Sequence, residues 1–210
     1  MNPSNIRAGL HQDWLRLPHV EPGNRIGLFG GSFNPPHSGH RLVASTVLKR
    51  LGLDQIWWFV TPGNPLKDHA NLAPLATRLD LTAALADHPR MKVTAYETVL
   101  GTPYTARTIG ALCAMRPSVR FVWVMGADNL GSFHRWQDWR QIVGSVPIAI
   151  VDRPGASLSV LSSPMAKVFE KYRLPEEVAA RLPDLEPPVW TFLHAPLDRT
   201  SSTGLRNLPE

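Results

Sequence analysis

The sequence holds a single cysteine, Cys113, in 210 residues. One thiol forms no intrachain disulfide, and a Cys-rich zinc site is excluded with it. Long apolar runs are missing too, since none approaches the ~18 residues that would span a bilayer. Asp13, Arg16 and Glu21 interrupt the N-terminal region, so it holds no secretory apolar core. A cytoplasmic, reducing setting without a membrane partner is the expectation. The two commonest phosphate-loop signatures are also absent, because neither G-x-x-x-x-G-K-[ST] nor G-x-G-x-x-G occurs.

Positive charge and proline are in surplus. Lys and Arg number 22 against 17 Asp and Glu, and the sequence pI is near 9.8. Residues 26–160 hold 13 basic and 8 acidic groups, whereas residues 161–210 hold 6 and 7. No basic run marks an arm for nucleic acid, so no nucleic-acid partner is expected. A cationic middle segment fits the attraction of small anions. The 20 prolines are roughly twice the usual share of about 5%. Apolar residues at 43% and charged residues at 19% are ordinary for a globular chain, and the length suits one α/β domain.

Periodicity divides the chain into an extension, residues 1–24, and a domain, residues 25–210. The extension carries a short helical piece around Leu10, Trp14 and Leu17. Strands are predicted at 26–29, 55–60, 91–95, 119–125, 147–151 and 189–195. Helices are predicted at 39–51, 75–87, 104–115 and 136–143, the first closed by Gly52. Alternation of this kind implies a Rossmann-like, doubly wound α/β fold with a mostly parallel sheet, here with a small C-terminal lobe. Ligands bind such sheets outside the carboxyl ends of the strands.

The strongest motif lies between the first strand and the first helix, Gly30-Gly31-Ser32-Phe33-Asn34-Pro35-Pro36-His37-Ser38-Gly39-His40. Two glycines are expected to let the backbone turn and approach a ligand. His37 and His40, three apart at a helix start, share one face beside N–H groups that favour phosphate. A His-x-x-His pair can also hold zinc, but no Glu lies within it and no Cys is nearby. Lys67 follows the second strand in a Pro- and Gly-containing loop, either reaching a phosphate or simply solvated. Asp128 follows the fourth strand, where a carboxylate serves a ribose, a Mg²⁺ ion or a helix N-cap. Thr200-Ser201-Ser202-Thr203 reads as a hydroxyl-rich helix start, and Arg206 adds a fork suited to phosphate. Trp136 sits in a polar stretch, where its ring either stacks on a ligand or packs on a neighbouring loop. Cys113, Trp123 and one of Trp57 and Trp58 are expected in the core.

His37-Ser38-Gly39-His40 resembles the His-x-Gly-His hallmark of the nucleotidyltransferase superfamily. Pro62-Gly63-Asn64-Pro65-Leu66-Lys67, Thr102-Pro103-Tyr104-Thr105 and Met125-Gly126-Ala127-Asp128-Asn129 follow in order. Trp136, Val151-Asp152-Arg153-Pro154-Gly155 and residues 200–206 complete the set. Together, over residues 25–207, they are similar to the bacterial nicotinate-nucleotide adenylyltransferases.

The resemblance implies adenylyl transfer from ATP to nicotinate mononucleotide, with Mg²⁺ held mainly by the ATP phosphates and no metal site on the protein. It implies catalytic roles for His37, His40, Lys67 and Arg206. ATP would also meet Gly30, Gly31, Ser32, Phe33, Gly126, Asp128, Ser201, Ser202 and Thr203. The pyridine nucleotide would meet Tyr104, Thr105, Trp136 and Arg153. Ser32 and Asn34 stand where many relatives carry Thr and Asp, and the short segment after Arg206 predicts a C-terminal lobe without the longer terminal helix of many relatives. Two alternatives stay open. One is a nucleotidyltransferase acting on phosphopantetheine or flavin mononucleotide, which shares the histidine loop but not the context of Trp136 and Arg153-Pro154-Gly155. The other is a non-catalytic nucleotide-binding module.

Overall fold

The computed structural model describes residues 10–63, 71–152 and 162–195. Its central strands are apolar on both faces because helices cover both faces, as parallel sheets require. They are β1 (Arg25–Gly31), β2 (Gln55–Val60), β3 (Met91–Thr94), β4 (Arg120–Gly126), β5 (Ile148–Val151), β6 (Arg173–Leu174) and β7 (Trp190–Leu193). All pair in parallel, in the order β3-β2-β1-β4-β5-β7-β6. The double cover corrects one expectation. Trp57 and Trp58 both have no exposed surface, Trp57 packing with Leu28 and Trp123 on one face and Trp58 with Phe29 and Val124 on the other.

The helices are α1 (Ser38–Arg50), α2 (Leu75–Leu85), α3 (Tyr96–Leu100), α4 (Thr105–Met115), α5 (Ala127–Phe133), α6 (Trp139–Ser145) and α7 (Pro164–Val168). Val43, Val47 and Leu48 of α1 and Leu79 of α2 join the core on the Trp58 face. The opposite core takes Ile109 and Leu112 of α4, Leu130 and Phe133 of α5, Ile142 and Val143 of α6, and Met165 of α7. Left-handed residues set several boundaries. Gly52 at φ 60 follows α1, and Gly101 at φ 64 ends α3. Asp138 at φ 54 starts α6, so the helix predicted from 136 begins at Trp139. Residues 162–195 contribute α7 and short 3-10 turns, and β7 and β6 extend the sheet beyond β5.

The described part of the extension forms one 3-10 turn, Gln12–Leu15. Leu10 and Trp14 pack against the Trp58-face core, Leu17 and Val20 against the other. The Trp14 carbonyl accepts the Ala95 N–H at 2.8 Å and the Thr94 hydroxyl at 3.1 Å. The arm is thereby fastened to the end of β3. Among the described residues, no helix is long and apolar enough to cross a membrane.

One detail of register positions the site. β1 pairs with β2 as far as Gly31 and Val60, but with β4 only as far as Phe29 and Val124. The two central strands therefore part before β1 ends. From β1 the chain winds outward through β2 and β3, then returns to the other side at β4. This is the topological switch point, where doubly wound sheets open a crevice for ligands.

Candidate active site

Gly30 and Gly31 lie within β1 and neither has a positive φ, so they do not turn the chain as expected. Their smallness serves the rings around them. A Cβ at Gly30 would stand 2.7 Å from Cη2 of Trp123, and one at Gly31 would stand 2.9 Å from Cζ of Phe33. The turn is made by Phe33 at φ 46, a conformation that strains a non-glycine residue. Its buried ring packs on Phe29 and Trp58, with centroids 5.4 and 5.2 Å away, and meets the ring of His40 edge-on at 5.0 Å. Phe33 is therefore a floor beneath His40.

His37 is the N-cap of α1, and its side chain is buried. Its ring and that of His40 lie 3.8 Å apart between centroids. The His37 backbone N–H donates to His40 Nδ1 at 3.2 Å. An Nδ1 that accepts leaves the proton of the neutral ring on Nε2. His40 thus offers Nε2–H as a donor, at a helix start where the backbone dipole already favours an anion.

The other predicted residues fall around the same edge of the sheet. Ser32 is half-buried beside the first loop. Gly126 is the N-cap of α5, and Asp128 is exposed in that helix's first turn, so Asp128 does not fill the cap position. Tyr104 is the N-cap of α4 and Thr105 its first residue, both half-buried. Trp136 is half-buried, its ring 6.2 Å from Trp123 and 5.2 Å from Phe133. It packs against the core and keeps part of its surface exposed. Lys67, Arg153, Ser201, Ser202, Thr203 and Arg206 lie outside the described residues. Among the described residues, no three His, Cys, Asp or Glu side chains gather to hold a metal ion.

Two charged residues of this region escaped the sequence reading. Arg78 of α2 is buried and, among the described residues, donates only to backbone carbonyls, including those of Ser32 and Thr61. Burial pushes its guanidinium down to about 10, so it stays a cation at neutral pH. Glu97 of α3 is also buried. Its Oε1 accepts from the Thr108 hydroxyl at 3.2 Å, while among the described residues nothing donates to the buried Oε2 within hydrogen-bond distance. Burial pushes its carboxyl up to about 7, against the opposing pull of the Thr61 and Thr108 hydroxyls. In sequence Arg78 sits in a helical pattern, where a charge reads as a solvated face, Glu97 sits in a stretch too short to show a period, and carbonyl partners leave no trace in a pattern of side chains.

A histidine pair capping the first helix at the switch point of an α/β sheet defines a class. Residues 28–208 match the family model described as cytidylyltransferase-like, and the chain belongs to that family. The solved Plasmodium falciparum nicotinic acid mononucleotide adenylyltransferase complexed with NaAD shares the fold at TM-score 0.64 and 16% identity, over 87% of this chain and 82% of that one. A Rhizobium meliloti (strain 1021) relative named "Probable nicotinate-nucleotide adenylyltransferase" is 60% identical over 87% of this chain and 97% of its own length. A relative of the same name from Brucella abortus (strain 2308) is 57% identical, over 87% of this chain and 94% of its own. Within the cytidylyltransferase-like proteins, the chain is a member of the nicotinate-nucleotide adenylyltransferase family.

Proposed function

We propose that the protein transfers the adenylyl group of ATP to nicotinate mononucleotide, a step of NAD biosynthesis. A phosphate oxygen of the mononucleotide forms a bond to the α-phosphorus of ATP. The bond from that phosphorus to the α,β-bridging oxygen breaks, and the electron pair leaves with pyrophosphate. The product is deamido-NAD.

The observation that carries this reading is the His37–His40 pair at the start of α1, its ring centroids 3.8 Å apart and the His37 backbone N–H donating to His40 Nδ1, which puts the proton of the neutral ring on Nε2. Such a donor acts on charge that builds on phosphate oxygens during in-line transfer, and positioning with charge stabilisation accounts for the catalysis. The motif loops hold no nucleophile that the reaction needs. His37 and His40 hold the triphosphate, and Lys67 and Arg206 add positive charge to it. Gly30, Gly31, Ser32, Phe33 and Gly126 offer backbone and hydroxyl groups to ATP, as do Ser201, Ser202 and Thr203. Asp128 faces the ribose or the ion. Tyr104, Thr105, Trp136 and Arg153 receive the pyridine nucleotide, and the exposed part of Trp136 is the surface on which a flat ring would stack.

Mg²⁺ accompanies ATP in this reading. An exposed carboxylate such as Asp128 fits an ion that keeps several waters and takes most of its ligands from phosphates. When bound, the ion neutralises phosphate charge. The test is to supply ATP, Mg²⁺ and, in turn, nicotinate mononucleotide, phosphopantetheine or flavin mononucleotide, and to measure pyrophosphate. Release with nicotinate mononucleotide alone is expected, and its absence there overturns the reading.

A further inference from the structure

Arg78 sits at the meeting point of three segments that the fold brings to the carboxyl edge of the sheet. Its Nη1 donates to the Ser32 carbonyl at 2.7 Å and to the Thr61 carbonyl at 2.8 Å. Its Nε donates to the Ala73 carbonyl at 2.9 Å, and Nη2 reaches the Pro62 carbonyl at 3.4 Å. Only 1% of the residue is exposed, and among the described residues no carboxylate pairs with it. A buried cation without a counter-charge is costly unless its donors are satisfied, so the carbonyls are its solvent. Those of Ser32, Thr61 and Pro62 lie just past the ends of β1 and β2, where the sheet no longer serves them, and that of Ala73 precedes α2. Asn34 ties the same loop to the same segment, its amide donating to the Asn71 carbonyl at 2.8 Å while its oxygen accepts from the Ala73 N–H at 3.2 Å.

We propose that Arg78 is a positioning residue for adenylyl transfer, its guanidinium fixing the loop after β1 against the loop after β2. This rests on the reading of the reaction above. The loop after β1 leads into His37 and His40, so the place where the guanidinium holds that loop sets where the histidine pair meets phosphate. Arg78 is buried, with its described donors directed at backbone carbonyls. It acts through the backbone at Ser32, Thr61 and Pro62. A planar fork with five donors fills this role, and an ammonium with three donors on one atom does not reproduce it.

Arg78→Lys keeps the charge and loses the fork, whereas Arg78→Ala loses both. Each is compared with wild type by circular dichroism, melting temperature, and kcat and KM for both substrates. Misplacing reacting groups by about 1 Å costs on the order of 100-fold. R78K is therefore expected to fold and to lose about 10- to 100-fold in kcat, with KM for the pyridine nucleotide within about 3-fold of wild type. Added guanidinium ion is expected to restore part of the R78A turnover and to leave wild type unchanged. R78K with wild-type kcat overturns the proposal. So does an R78K that fails to fold at 25 °C, since the residue is then a stability element only. A wild-type protein that releases no pyrophosphate overturns the reaction itself, an outcome distinct from active wild type matched by active R78K.

Discussion

Replacing Glu97 by glutamine should make the protein more stable at neutral and alkaline pH, and the size of the gain follows from its burial. The carboxyl is enclosed and accepts a hydrogen bond from Thr108, and among the described residues nothing donates to Oε2 within hydrogen-bond distance. Burial raises its titration from the ordinary 4.5 to about 7. Below pH 4.5 the folded and unfolded chains both hold the proton. Between there and about pH 7 the unfolded chain releases it while the folded chain keeps it, so stability falls as pH rises. Above about pH 7 the loss is complete and amounts to about 3 kcal/mol. Glutamine carries no charge at any of these pH values and can still accept from Thr108. E97Q should match wild type near pH 4 and exceed it at pH 8 by up to about 3 kcal/mol. At about 2–4 °C per kcal/mol for a chain of this size, the melting temperature would rise by about 6–12 °C. Thermal unfolding of both proteins across this range reads the difference, in which the titration of all other groups cancels. Curves that stay parallel from pH 5 to 8 would refute the argument.

Three further outcomes follow from the site. His40→Ala should lower kcat by about 100- to 1,000-fold while ATP affinity by calorimetry changes little, and near-normal turnover removes His40 from the chemistry. Trp136→Ala should raise the KM for the pyridine nucleotide roughly 2- to 10-fold, the worth of one aromatic stack. An unchanged KM returns Trp136 to packing on Trp123 and Phe133. Gly30→Ala drives a methyl into the Trp123 ring and should cost about 1–3 kcal/mol, a fall of about 2–12 °C in melting temperature. An unaltered melting temperature would mean that Trp123 moves aside freely.

Much of this architecture is legible in the sequence because burial on both faces writes continuous apolar runs, as in β2 and β4. The first motif was legible for a different reason, since two histidines three apart at a helix start share a face whatever surrounds them. Short elements ended by left-handed residues were harder. α5 spans seven residues and α3 five, too few to show a period, and Asp138 divides what reads as one polar helical stretch. Gly30 and Gly31 show how a correct residue can carry a wrong reason. Their missing side chains make room for Trp123 and Phe33, distant partners that no local pattern names. Arg78 and Glu97 were invisible for the same cause, because what makes them unusual is enclosure by segments far away in sequence.

The arm along β3 has a consequence for the protein in crowded solution. A sheet ends in two rows of unpaired backbone groups, and such rows recruit other chains into aggregates. Here one margin is β6, only two residues long, and the other is β3, four residues with Trp14 fastened over its end. Without residues 10–24, β3 would lose that fastening, and self-association should appear as light scattering at concentrations where the full chain stays clear. That outcome would give the extension, outside every motif of the reaction, a part in keeping the sheet from its own copies.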